Sequence, residues 1–255
     1  MQTKDCMQFK DRFSGHAAEY AQYRPRYPAE LFEYVAAVAP DRTCAWDCAT
    51  GNGQAASGLA NLFECVIATD ASEKQIANAE RNDRITYRVA TAKDSGLEPG
   101  SVSLVTVAQA LHWLRIEAFY NEVKRVLKPG GALGIWCYNL FEISPPIDAL
   151  VTRFYRETVG PYWDPERHLV ETGYRTLPFP FAELETPKFQ MQANWSLNHL
   201  LGYLRTWSAT KKFIGANGLD PATSLANELT KLWGDPTMMR KIEWPLKMRV
   251  GTVPF

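Results

Sequence analysis

The sequence predicts an α/β fold in which helices cover both faces of a mostly parallel β-sheet. Between residues 43 and 138, short β-type runs alternate with helical patterns, as in consecutive βαβ units. The β-type runs are apolar at most positions, which is typical of strands that are covered on both faces. With 255 residues, of which 46% are hydrophobic, the chain can build a sizeable core.

Five runs in this region are predicted strands, and helical patterns separate them. The strands cover residues 44–47, 65–70, 85–89, 102–107 and 132–137. A helix is predicted over 72–81, because Ser72 followed by Gln75 has the spacing of a capping box. Apolar residues at helical intervals predict another helix over 116–127, which the sequence Pro129-Gly130-Gly131 ends. Upstream, a helix is predicted over 31–38.

The pattern changes after residue 138, where prolines separate helical pieces and loops. Alternating residues predict a sixth strand over 189–197 and a seventh over 243–250. Six of the eight tryptophans lie after residue 128. These aromatic side chains either line a ligand pocket or fill a secondary core.

Charge and composition exclude several classes of function. Lys plus Arg equals Asp plus Glu at 28 each, whereas a nucleic-acid-binding protein normally carries a basic excess. No segment approaches the length of apolar sequence that a membrane helix requires, so we expect no membrane partner. Five cysteines without a CxxC pair predict free thiols and a cytoplasmic protein. Four scattered histidines predict no metal site, and nothing in the sequence specifies an oligomeric state.

A glycine turn directly follows the first predicted strand, in the sequence Asp47-Cys-Ala-Thr-Gly51-Asn-Gly53. Glycines at such a turn let backbone N–H groups approach a ligand closely. Asp70 ends the second predicted strand, about 20 residues later, where a carboxylate can accept hydrogen bonds from ribose hydroxyls. The glycine spacing also fits a dinucleotide site. Because Asp47 would repel a pyrophosphate, it favours a cationic ligand instead.

The motif D-x-x-x-G-x-G and its context resemble the class I S-adenosylmethionine-dependent methyltransferases. The more specific resemblance is to the trans-aconitate methyltransferase-like branch. It is carried by Phe13 and residues 17–20, 24–28, 70–72, 108–113 and 125–131, and more loosely by 206–209. This resemblance implies a Rossmann-like, doubly wound sheet of seven strands in the order 3-2-1-4-5-7-6, with the last strand antiparallel.

The resemblance also implies a single methyltransferase domain over residues 1–255. It would comprise an N-terminal helical cap (1–40), a cofactor-binding core (41–140), a helical insertion or lid after strand 5 (141–187), and C-terminal strands and helices (188–255). Its cofactor would be S-adenosylmethionine, with S-adenosylhomocysteine as product. The implied cofactor-binding residues are Tyr20, Arg24, Asp47, Ala49, Gly51, Gly53, Asp70, Ala71, Thr91, Ala92, Lys93, Gln109 and Ala110.

The expected methyl acceptor is a small molecule, and the branch suggests a carboxylate of a small polycarboxylic acid. Candidate acceptor-binding residues are His112, Trp113, Trp136, Tyr138 and Trp207, together with Arg24. His112 is the candidate catalytic residue, either as a base or as a hydrogen-bond donor to the acceptor; alternatively it only packs beside Trp113. Arg24 either closes over the cofactor or forms a plain salt bridge.

Three departures from the family pattern concern the adenine side and the sheet. No acidic residue occupies 91–93, so either Asp94 substitutes or backbone groups read the adenine. Ser103 replaces a common Asp in the fourth strand, and Cys48 occupies a variable position. Two alternatives to a methyltransferase remain: a nucleotide-dependent oxidoreductase, and a non-catalytic S-adenosylmethionine-binding protein.

Overall fold

A computed structural model of the chain describes residues 23–254, which form one sheet with helices on both faces. Its strands are β1 (Cys44–Cys48), β2 (Cys65–Asp70), β3 (Ile85–Val89), β4 (Val102–Ala108), β5 (Leu127–Tyr138), β6 (Ala182–Leu184), β7 (Gln190–Trp195) and β8 (Arg240–Thr252). Strands β1 to β5 are parallel, and β8 runs antiparallel to β5. The strand order is 3-2-1-4-5-8-6, with β7 also paired to β8.

Helices on each face bury a separate set of apolar side chains against the sheet. The helices are α1 (Ala29–Val38), α2 (Gln54–Leu59), α3 (Glu73–Ala77), α4 (Ile116–Val126), α5 (Pro145–Arg153), α6 (Arg167–Glu171), α7 (Leu197–Arg205), α8 (Ser208–Asn217) and α9 (Pro221–Trp233). Short 3₁₀ turns cover Leu111–Trp113 and Gly160–Tyr162, and a π-helical turn covers Phe154–Thr158. Helices α1, α2 and α7 lie on one face, whereas α4 and α6 lie on the other.

The predicted strand order is confirmed, but the far edge of β8 is shared by two strands instead of one. β7 corresponds to the predicted strand at 189–197 and pairs with Arg240–Pro245, the first part of β8. β6 pairs with residues 250–252 at the other end of β8. All three residues of β6 are exposed, so the sequence has no alternating apolar pattern that would predict this strand.

One predicted helix is shorter than expected. Ser72 caps α3 by accepting a hydrogen bond from the N–H of Gln75, as predicted, but the helix ends at Ala77 instead of continuing to residue 81. It buries no side chain, so tertiary packing does not extend it. The insertion after β5 contains α5 and α6, and three further helices, α7 to α9, lie between β7 and β8.

Because the strands are parallel, their amino-terminal ends lie at one edge of the sheet, the entry edge, and their carboxyl ends lie at the opposite edge. At the entry edge, Asp41 accepts hydrogen bonds from the hydroxyls of Ser103 and Thr43. It also forms an ion pair with Lys128, with an Nζ–Oδ2 distance of 2.9 Å. Hydrogen bonding to Ser103 and Thr43 holds the pKa of Asp41 below its usual range. Ser103 therefore serves this structural network, far from the ends where Asp47 and Asp70 lie.

Within residues 23–254, every helix is too short or too polar to cross a lipid bilayer.

Candidate functional site

The turn after β1 is built from residues in the left-handed backbone region. Ala49 has a φ of 55°, Gly51 of 59° and Gly53 of 90°. Residues other than glycine rarely adopt this backbone region. Single residues held there are often part of a functional site. The turn leads directly into α2 and leaves open space beside the Cα of Gly51.

Asp47 lies fully buried at the end of β1, beneath this turn. One carboxylate oxygen accepts a hydrogen bond from Thr50, and the other accepts one from Thr106 on β4 at 2.7 Å. Burial raises the pKa of Asp47 to about 6, although these hydroxyls and the N–H of Ala56 stabilise the ionised form. No Lys or Arg among the described residues forms an ion pair with it.

Asp70, at the end of β2, is held against the same turn. Its Oδ2 accepts a hydrogen bond from the N–H of Gly51 at 2.9 Å, and its Oδ1 accepts one from the N–H of Ser72 at 2.8 Å. Its charge is also among the causes that raise the pKa of Asp47. The structure thus brings Asp47, Gly51 and Asp70 together, as the sequence spacing predicts for a binding loop.

Tyr87 on β3 is a neighbour of this loop that sequence reasoning missed. A Cβ built on Gly53 would overlap the hydroxyl oxygen of Tyr87 and lie 3.0 Å from two of its ring carbons. Burial raises the pKa of Tyr87 to about 12, so the phenol stays protonated at neutral pH. Because the residues are 34 positions apart, only the sheet order reveals the contact.

The segment after β3 forms a tight turn in which Asp94 donates its N–H to the carbonyl of Thr91 at 3.2 Å. Thr91 and Lys93 are exposed, and Ala92 packs against the core. Glu122 on α4 anchors this turn by accepting hydrogen bonds from the N–H and hydroxyl of Ser95. The bond from Arg125 and those from Ser95 lower the pKa of Glu122 to about 2.

Gln109 joins the carboxyl ends of β4 and β5. Its side-chain amide donates to the carbonyl of Tyr138 at 3.0 Å and accepts from the N–H of Tyr138 at 2.8 Å. The side-chain amide thereby pairs with Tyr138 as a backbone peptide group would, and it extends the hydrogen bonding between β4 and β5 by one residue. Gln109 itself has a φ of 55°, in the left-handed region. The Tyr138 hydroxyl in turn accepts a hydrogen bond from Arg24 at 2.9 Å.

His112 is buried in the 3₁₀ turn after β4, with its ring 4.4 Å from that of Trp113. Its Nδ1 lies 2.9 Å from the hydroxyl of Tyr174, a residue from the loop after α6. The two rings are also stacked, with their centres 6.0 Å apart. The imidazole ring of His112 is thus held between Trp113 and Tyr174.

The remaining predicted residues are dispersed. Trp136 is completely buried against Tyr27 and Phe32 beneath α1, in the core of the fold. Trp207 belongs to an aromatic cluster with Tyr155, Trp163 and Tyr203. Tyr20 lies outside the described residues, as does most of the predicted cap. Ala71 and Ala110 are half-buried and directly follow Asp70 and Gln109.

The contact between Gly53 and Tyr87 predicts a measurable difference between the two loop glycines. Gly51→Ala should lower the free energy of unfolding by about 1 kcal/mol, because only the positive φ opposes it. Gly53→Ala should cost about 2 kcal/mol or more, because the new methyl group also meets Tyr87. Urea unfolding of both variants measures the difference.

A Tyr87→Ala background should bring the cost of Gly53→Ala down toward that of Gly51→Ala. Equal costs of the two substitutions in the wild-type background would contradict the close approach of Tyr87.

Comparisons with known proteins agree with this geometry. A family model described as a methyltransferase domain matches residues 46–135. A Dictyostelium discoideum protein named as a methyltransferase is 36% identical over 229 residues, covering 88% of this chain and 87% of the relative. A Saccharomyces cerevisiae protein named as an S-adenosylmethionine-dependent methyltransferase is 25% identical, covering 89% of this chain and 92% of the relative.

A solved structure from Anaeromyxobacter dehalogenans, named as a type II methyltransferase, superimposes with a TM-score of 0.87 and 44% identity. It covers 91% of this chain and 100% of the other. The extent of these matches and the placement of Asp47 and Asp70 beside the glycine turn lead to one family. The chain belongs to the S-adenosylmethionine-dependent methyltransferases.

Proposed function

We propose that this methyltransferase O-methylates a carboxylate of a small polycarboxylic acid, as the resemblance to the trans-aconitate methyltransferase-like branch implies. The observation that supports the cofactor part of this proposal is Asp47, a fully buried carboxylate with no basic partner among the described residues. A buried charge of this kind is costly unless a counter-ion compensates it. A ligand carrying both a sulfonium and an ammonium group supplies positive charge, whereas a pyrophosphate would add repulsion.

The donor set at this edge of the sheet fits S-adenosylmethionine. In this proposal the loop of Asp47, Ala49, Gly51 and Gly53 holds the methionine portion, where Gly51 leaves open space. Asp70 holds the ribose, and Ala71 lies beside the adenine. The remaining assigned contacts are the adenine edge at Thr91, Ala92 and Lys93, the sulfonium end at Gln109 and Ala110, and the methionine carboxylate at Tyr20 and Arg24.

S-adenosylmethionine supplies an electrophilic methyl group and leaves as neutral S-adenosylhomocysteine. The protein's contribution is therefore to hold the acceptor in line with that methyl group and to exclude water. A carboxylate acceptor is already ionised at neutral pH, so the residues here need not remove a proton. The site accordingly does not depend on a general base.

His112 has a defined role in this proposal as a hydrogen-bond donor to the acceptor. In this proposal the Tyr174 hydroxyl, 2.9 Å away, donates to Nδ1, and neutral His112 then carries its own proton on Nε2. A ring in that form donates from Nε2 and orients a carboxylate. Trp113, Tyr138 and Trp207 provide the other acceptor-side surfaces.

Replacing Asp47 with Asn separates cofactor binding from stability. Because burial raises the pKa of Asp47 to about 6, ionisation above that pH opposes folding. Asp47→Asn should therefore leave the melting temperature at pH 7 unchanged or higher, while weakening S-adenosylmethionine binding by tenfold or more. Affinity for the cofactor should also fall as the pH drops below about 6, since Asp47 then becomes neutral. Calorimetry between pH 5 and 8 measures both effects.

Asp41→Asn is the matched control, at the opposite edge of the sheet. Hydrogen bonds keep the pKa of Asp41 low, so its loss should reduce stability at pH 7 and leave cofactor affinity unchanged. The assignment of Asp47 would be wrong if Asp47→Asn bound the cofactor as tightly as the wild-type protein.

The chemistry of the acceptor is tested by the stability of the methylated product. With methyl-labelled S-adenosylmethionine and a panel of citrate, trans-aconitate, catechol and ethanolamine, we expect label in products of the two acids. A methyl ester is hydrolysed by mild base and releases labelled methanol. Label confined to base-stable products of catechol or ethanolamine would rule out a carboxylate acceptor.

The tautomer of His112 can be read directly by nuclear magnetic resonance. In long-range ¹H–¹⁵N spectra at pH 8, Nδ1 of His112 should appear unprotonated and Nε2 protonated. Tyr174→Phe removes the proton donor and should move the spectrum toward a mixture of tautomers, with S-adenosylhomocysteine affinity retained. A protonated Nδ1 in the wild-type protein would show that His112 cannot donate from Nε2 in the way proposed.

A further inference from the structure

Arg167 is a half-buried cation at the carboxyl edge of the sheet, on the side away from the glycine turn. It begins α6, which contacts both β5 and the 3₁₀ turn Leu111–Trp113. Its Nη2 donates a hydrogen bond of 2.6 Å to the side chain of Asn139, the residue that follows β5. Arg167 thus lies next to the ends of β4 and β5, whereas Asp47 and Asp70 lie at the ends of β1 and β2.

The guanidinium of Arg167 contacts two aromatic rings, and its hydrogen-bond partners are a phenol and a side-chain amide. It lies 4.7 Å from the ring centre of Trp163 and 5.6 Å from that of Tyr155. Its Nε donates to the Tyr155 hydroxyl at 3.0 Å, and that hydroxyl donates its own proton to Glu171 at 2.6 Å. Stacking and hydrogen bonds therefore fix the plane of the guanidinium, and the Glu171 carboxylate is linked to it only through the Tyr155 hydroxyl.

Among the residues that the structure describes, no carboxylate comes within ion-pair distance of Arg167. A guanidinium carries five N–H donors, and Asn139 and Tyr155 use one each. Three donors remain for another partner. A partly desolvated guanidinium with a fixed fork and spare donors matches a carboxylate, which can accept two parallel hydrogen bonds.

A closed series of contacts connects Arg167 with Arg24. The series runs through Trp163, Trp207 and Tyr203 to Arg24, then through Tyr138 and Asn139 back to Arg167. Trp207 contacts Trp163 at 5.7 Å and Tyr203 at 5.9 Å, and Arg24 lies 5.0 Å from the Tyr203 ring centre. Three of the residues predicted for the acceptor side, Arg24, Tyr138 and Trp207, therefore belong to one connected arrangement with Arg167.

We propose that Arg167 binds a carboxylate of the methyl acceptor and selects acidic acceptors. This inference rests on the proposed methyl transfer and adds a binding residue outside the matched segment 46–135. The carboxylate that Arg167 holds would be one that stays unmethylated, because a guanidinium pairs best with an ionised group. Such pairing favours acceptors that carry at least two acidic groups.

The test is calorimetry on the 255-residue chain saturated with S-adenosylhomocysteine, into which citrate or trans-aconitate is titrated. The wild-type protein should bind at least one of the two acids and should not prefer ethanolamine. Arg167→Gln should weaken acid binding by about 10- to 100-fold, while S-adenosylhomocysteine affinity stays within about twofold. Arg167→Lys, which keeps the charge but loses the fork, should fall between the two.

Arg153→Gln is the matched control, because Arg153 is exposed and already paired with Glu228 at 2.6 Å. It should bind both acids like the wild-type protein. If Arg167→Gln does not fold, Arg167→Lys carries the comparison. Equal acid affinity in wild type and in the Arg167 variants would overturn the proposal, as would a wild-type protein that binds neither acid.

The two proposals fail in different ways. Label confined to base-stable products of catechol or ethanolamine would contradict the proposed function itself. A protein that methylates an acid, but whose acid affinity does not depend on Arg167, would contradict only this inference.

Discussion

The structure around the glycine turn depends on one carboxylate, Asp47, that is buried in a central strand of the sheet and shielded from solvent. Asp47 is fully buried, and the groups that stabilise its charge are neutral: two threonine hydroxyls and one backbone N–H. Thr106 can reach it because β4 lies beside β1, and Asp70 approaches it because β2 lies on the other side. Strand order, glycine turn and hydroxyl placement thus all contribute to holding this charge, which the cationic cofactor balances in the proposed function.

Much of this arrangement could be predicted from the sequence, because it depends on short-range patterns. Apolar runs located β1 to β5, and Asp47, Gly51 and Asp70 lie at strand ends, where spacing alone indicates a loop site. What could not be predicted depends on contacts between distant segments. β6 has no buried side chain to give it a pattern, and nothing in the local sequence distinguishes Tyr174 or Arg167 from the other tyrosines and arginines of the chain.

The aromatic residues at the end of β5 also show that contacts between distant segments could not be predicted. Trp136 lies at the end of a predicted strand near the site, yet alternation along β5 directs its ring into the core beneath α1. Tyr138, two residues later, lies on the same face, but there the end of the sheet leaves room for Arg24 and Gln109 to reach it. The surroundings of each aromatic residue are decided by the elements that cover the strand, and these come from other parts of the chain.

The location of Arg167 and Trp207 in helices α6 and α8 and their flanks has an evolutionary consequence. These segments enter the chain after the fifth strand, so insertions or replacements there leave the parallel strands and the turn after β1 intact. With the acceptor roles proposed for Arg167 and Trp207, a change of acceptor would require changes in these two helical segments only, and the turn after β1 could stay as it is. Differences in substrate among relatives should accordingly be sought beyond residue 138.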